Sequence, residues 1–182
     1  MNLMELAPSW LIMILCLALA FAAVEDAIRL RISNGLVMTI AAAAFVAMFA
    51  DGPSPAAWQN IALSIAFLAV GTGLFSAGIL GGGDVKLLAA LALWVDLEHA
   101  PALLASVFIA GGLLAAAMLS SRLLLGRSDG VSLQDRGRRV PYAVAIAAGA
   151  FFLLAVQQEL APASRPNPLE FHSLEKAPGN GR

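Results

Sequence analysis

Two aspartates, Asp84 and Asp26, are the residues of this chain best placed to do chemistry, and the chemistry open to them is acid–base work on a bound water. Asp84 closes a stretch with no charged residue back to Asp51, and it follows three glycines in the run Gly81-Gly82-Gly83-Asp84-Val85-Lys86. A carboxylate at the edge of, or inside, a membrane-embedded region costs about 2.5 kcal/mol or more, which makes it a functional candidate. A second reading is available. Asp after a glycine turn and before an apolar run is a good helix N-cap, its side chain accepting a first-turn backbone N–H. This stretch alone weighs the two readings equally. Glycines permit positive φ and the close approach of another backbone, which suits either.

Asp26 follows Glu25 at the end of the first long apolar run. Two facing carboxylates at one depth can share a proton, one acting as base on a water and the other as acid to a substrate carbonyl, the arrangement that aspartic proteases use. No metal or covalent nucleophile is needed. Buried acids also relay protons or cations in transporters, and the two acids by themselves leave enzyme and transporter equally open. Other catalytic sets are poorly supplied. The two histidines, His99 and His172, fall in segments read below as external, and His99 has no acids at metal-ligand spacing on a helix. The single cysteine, Cys16, lies in an apolar run, which excludes an internal disulfide and a cysteine-based zinc site. No metal and no cofactor is expected.

The elements that must position the acids are membrane helices. Among 182 residues, 60% are hydrophobic and 13% charged, and the mean hydropathy is +0.83, far from a soluble globule. The expected fold is an all-α integral membrane protein, a six-helix bundle spanning residues 8–24, 35–50, 56–80, 87–95, 102–121 and 141–158, the fourth helix short or tilted. The N-terminus carries Glu5 and no Lys or Arg, so the first run is read as a helix rather than a cleaved signal. Gly71, Gly73, Ala77 and Gly78 read as helix-packing positions, and Pro141 suits the first turn of the last helix. Residues 1–158 then form one membrane domain, and residues 159–182, rich in Pro, Ala, Gly and charge, are expected to be a disordered polar tail.

The net charge of -1 says little, but its placement orients the bundle. Connections after helices one, three and five hold Arg29, Arg31, Lys86, Arg122, Arg127, Arg136, Arg138 and Arg139; those after helices two and four hold no basic residue. By the positive-inside rule the first set is cytoplasmic and both termini are outside. The basic loop reads as a topology signal in contact with anionic lipid of the bilayer, not as a nucleic-acid site. Asp26 and Asp84 then fall at the same face and can meet if their helices pack.

Gly81-x-Gly83-Asp84 followed by Val85-Lys86 resembles the GxGD motif of intramembrane aspartyl proteases, in particular the GGGDxK segment of type IV prepilin peptidases. Asp26, with Ile32 and Asn34 six and eight residues on, resembles that family's first catalytic segment, D-x5-IPN, and Val140-Pro141-Tyr142-Ala143-Val144-Ala145-Ile146 resembles its VPYxxAI segment. Ser33 departs from the family's proline. The resemblance covers residues 8–158 and implies Asp26 and Asp84 as the catalytic pair, with Gly81 and Gly83 letting a substrate backbone approach and Lys86 anchoring the helix or biasing Asp84. It also implies a prepilin or pseudopilin substrate with a basic leader and an apolar helix, cut after a small residue, usually glycine, at the cytoplasmic face of the inner membrane. The chain is similar to the short, peptidase-only form serving tight-adherence (Flp-type) pili, of which N-methylation is not expected. Neither residues nor resemblance fix the oligomeric state.

Overall fold

The computed structural model describes residues 2–50, 55–124 and 142–160, with side chains described through residue 120 in the second segment and residue 157 in the third. All regular structure among them is helical: α1 (Leu3–Leu6), α2 (Ser9–Arg29), α3 (Asn34–Ala50), α4 (Ala57–Ser76), α5 (Gly82–Ala92), α6 (Ala100–Leu124) and α7 (Tyr142–Leu160). Most of the expected basic loop, Pro141 and the tail beyond Leu160 lie outside the described residues. Ser9–Arg29, Ala57–Ser76 and Ala100–Ser120 are long and apolar enough to cross a bilayer, and Asn34–Ala50 and Tyr142–Gln157 are shorter apolar helices. Phe21, Phe49, Phe108 and Phe152 point outward, each more than half exposed. The chain is a membrane protein whose apolar outer face is what lipid would cover.

The core is built round the shortest of the main helices. α5 has 11 residues, a rise of about 16 Å against a hydrocarbon core of about 30 Å, yet nearly every side chain on it is buried. It packs on α4, α3 and α7. Its end is held by polar groups from its neighbours: Asn60 Nδ2 donates to the Leu93 carbonyl at 2.9 Å and Ser64 Oγ to the Ala89 carbonyl at 2.8 Å. Trp94, fully buried, donates from Nε1 to the Ile40 carbonyl of α3 at 3.1 Å, while its own carbonyl accepts from Leu3 N of α1 at 2.9 Å. A helix end inside lipid has no water to satisfy its carbonyls, so these donors are what let α5 stop within the bundle. α2 lies against α7 and α3, and α6 against α7.

Several boundaries differ from the sequence expectation, the fourth helix running over Gly82–Ala92 and the fifth over Ala100–Leu124. The first helix continues through Glu25 and Asp26 to Arg29 rather than ending at Val24. Acids do not break a helix, and here Glu25 and Arg29 pair one turn apart at 3.8 Å. The helix closes instead at Leu30, whose φ of 52° is left-handed and whose N–H returns to the Asp26 carbonyl. The third helix stops at Ser76 rather than Leu80, because Gly78 takes φ 73° and turns the chain. The fourth starts at Gly82, so two of the three glycines belong to it.

Candidate active site

Asp84 is neither a bare N-cap nor an unsupported charge. The cap position is Gly81, and Asp84 is the third residue of α5. Its carboxylate reaches back to accept a hydrogen bond from the Gly81 N–H, the half of a capping box in which an acid at the third position satisfies the cap's own amide. That geometry needs the glycine. A Cβ on Gly81 would sit 2.6 Å from Asp84 Oδ2, so only a residue without one leaves the carboxylate where it is.

Asp26 is held from across the bundle. It lies on α2 just before the helix ends, and its Oδ2 accepts the Ala143 N–H in the first turn of α7 at 3.0 Å. That amide has no partner within its own helix. Both carboxylates therefore sit at the start of a helix, one its own and one another's, and each residue is 7% exposed. They lie close enough for their charges to repel one another. The two acids, which the sequence is expected to put at one face, thus lie within range of one another's charge.

The residues around the acids explain why the two motif segments have the spacing they do. A Cβ on Gly83 would meet the Ile32 side chain at 3.3 Å, so α5 packs its first turn on the segment that follows α2. Lys86 Nζ donates to Asn34 Oδ1 at 3.0 Å, joining α5 to the start of α3. Ile32 and Asn34 thus face Gly83 and Lys86, which fixes the Asp84 helix relative to Asp26. Ser33 acts as cap of α3: its Oγ accepts the Leu36 N–H at 3.4 Å, and its N–H donates to Glu25 Oε2 at 2.9 Å. A proline there would lack that second bond. Lys86 is exposed and engaged with an amide oxygen, so its place is that of a tie between helices. Among the described residues no group of three or more His, Cys, Asp or Glu lies where it could hold a metal ion.

A model of the type IV leader peptidase family matches residues 13–116. The chain belongs to that family. The match spans more than half of the sequence and includes α2 with Asp26 and the start of α5 with Asp84, but it ends before α7. Comparisons with curated proteins and with solved structures gave no match. As a member of a leader peptidase family, the chain is a membrane peptidase with a prepilin-type substrate.

Ala143 is the participant that residue-by-residue reading missed. It contributes only a backbone amide, so nothing in its side chain signals a role; the signal was the proline before Tyr142, which marks where a helix begins and where unpaired amides point. His99 is a loop residue as read, with its N–H and Nδ1 both on Asp96 Oδ1, at 3.0 and 2.6 Å. The glycines read as packing positions of the third helix divide. Gly71 packs, since a Cβ there would meet Val85 at 2.6 Å, whereas Gly73 faces open space and Gly78 makes the turn.

Proposed function

We propose that the chain is an aspartic endopeptidase of the GxGD type that removes the short basic leader of a prepilin or pseudopilin, with Asp26 and Asp84 as its catalytic pair. The observation that carries this is the pair itself: two buried carboxylates from different helices, near enough to repel, each oriented by a helix-start amide. Two such acids share one proton. The ionised member takes a proton from a water, which adds to the scissile carbonyl. The protonated member hydrogen-bonds that carbonyl oxygen, and the resulting tetrahedral diol collapses as a proton passes to the leaving amine. Gly81 leaves the Asp84 carboxylate its place, and Gly83 lets the first turn of α5 lie close on Ile32.

In this reading the six hydrophobic segments, α5 among them, form one bundle in the inner membrane with both termini outside, and the acids lie at the cytoplasmic face where a basic leader stays. The family's short form, as in Flp-type pili, is the fitting class. Family membership favours a peptidase over the transporter that the acids alone would equally allow.

The test is cleavage of a co-expressed prepilin. Asp26→Asn and Asp84→Asn are each expected to lower the rate at least about a thousandfold, because an amide can neither accept nor supply the shared proton. The double variant should be no worse than the singles, as expected of groups acting as one unit. Glu25→Gln should keep most of the activity. Near-normal processing by either Asn variant at normal protein level would sink the proposal, and proton or cation flux through liposomes without cleavage would restore the transporter.

A further inference from the structure

We propose that the apolar groove between α4 and α6 seats the apolar helix of the substrate, delivering the peptide bond that precedes this helix to Asp26 and Asp84. The proposal rests on the prepilin peptidase reading above. α4 packs chiefly on α5 and α6 chiefly on α7, which leaves a seam between the two outer helices, floored by α5 and α7. The seam holds a cavity of about 660 Å³, room for the side chains on one face of a helix. Its lining runs from Val70 on α4 past Leu88 to Gly111 and Gly112 on α6, and among the described residues no charged side chain is part of it.

What singles out this groove is continuity with the acids. Leu88 lies one turn beyond Asp84, on the same face of α5. Leu80 precedes the Gly81 cap, and Tyr142 precedes Ala143, the donor to Asp26. The groove therefore borders the supports of both carboxylates. Two other hollows among the described residues do not. One of about 540 Å³ touches only α6 and α7, and one of about 330 Å³ beside Asp26 is lined by Glu25 and Arg29, the wrong chemistry for an apolar helix.

A substrate whose apolar helix begins at the scissile junction has no length of chain to spend between the two. An extended residue spans only about 3.3 Å, so the helix must lie against an apolar surface that starts at the acids. The glycines of α6 suit that role, since they let a second helix come close in lipid. Gly112 has open space where its Cβ would be, and Val70 on the facing wall is 65% exposed.

Disulfide trapping of the full chain with prepilin in liposomes tests this, in a Cys16→Ala background. Gly112→Cys and Val70→Cys should each crosslink to single cysteines in the substrate helix, recurring at three- to four-residue spacing, and Leu17→Cys, exposed on α2 away from the groove, should not. Gly112→Phe, which fills the groove, should lower kcat/KM for prepilin roughly tenfold or more, and leave a short leader-junction peptide without the helix within about twofold, because only remote binding energy is lost. If Gly112→Phe does not accumulate, the trapping alone decides. Absent crosslinks, or equal crosslinking at Leu17→Cys, with a wild-type chain that still cleaves, mean that lipid fills the groove; docking is then overturned and the peptidase reading stands. A wild-type chain that cleaves no prepilin overturns both.

Discussion

At the scale of single residues, the triplet of glycines before Asp84 is three different requirements rather than one flexible hinge. Gly81 makes room for a carboxylate, Gly83 for the Ile32 side chain, and Gly82 meets only the Phe75 ring at an ordinary 3.4 Å. Alanine substitution should separate them. Gly81→Ala forces Asp84 off its amide, and a displacement of about 1 Å at a reacting group costs on the order of a hundredfold in rate. Prepilin cleavage should fall by that order while the amount of folded protein stays near normal. Gly82→Ala should keep most of its activity, and equal loss in the two would refute the distinction. Lys86 makes a more modest claim. Its bond to Asn34 is exposed, so Lys86→Ala should lose about 1 kcal/mol or less of thermal stability and change cleavage only a few-fold. At the opposite end of α5, burial raises the Asp96 carboxyl, but the hydrogen bonds and charge of His99 outweigh it and hold Asp96 below the usual carboxylate range. A lowered pKa contributes stability above the unfolded value, which disappears as pH falls through the folded one. Asp96→Asn should therefore lower the melting temperature near pH 7, with the difference from wild type shrinking as the pH falls below the usual carboxylate range.

At the scale of elements, the helices themselves were legible because apolar length is a strong signal, and Asp84 stood out as a carboxylate after a long uncharged run. What could not be read was where helices end and which small residues touch. Leu30 closes α2 in a left-handed conformation that no glycine advertises, and Glu25 and Asp26 look like a boundary although the helix runs through them. The α6–α7 contact is the clearest case. A Cβ on Gly149 would fall 2.7 to 2.8 Å from backbone atoms of Ser106 and Val107, which cannot move aside as a side chain can. Nothing in the local sequence separates this glycine from Gly112, which faces open space. Gly149→Ala should cost about 1–3 kcal/mol by overpacking, read as a lower melting temperature in detergent, whereas Gly73→Ala, with no atom within 4 Å, should be nearly neutral.

At the scale of the whole molecule, the orientation rests on where the basic residues fall. Reporter fusions near Gly126 should be cytoplasmic, and those near Ser54 or after Gln158 external; an external reporter at Gly126 would remove the acids from the face where a leader waits. The bond from Ala143 to Asp26 carries a further consequence, for the timing of biosynthesis. Both aspartates leave the ribosome well before α7, so an elongating chain holds the complete acid pair while one of its members still lacks the amide that aims it. On the proposed two-acid mechanism α7 is then a clock: the nascent chain should stay silent beside its substrates until α7 has been made. A fragment ending at Leu124 should insert and accumulate without cutting prepilin, and supplying the remaining residues as a separate polypeptide should start cleavage by two pieces that are each inert alone.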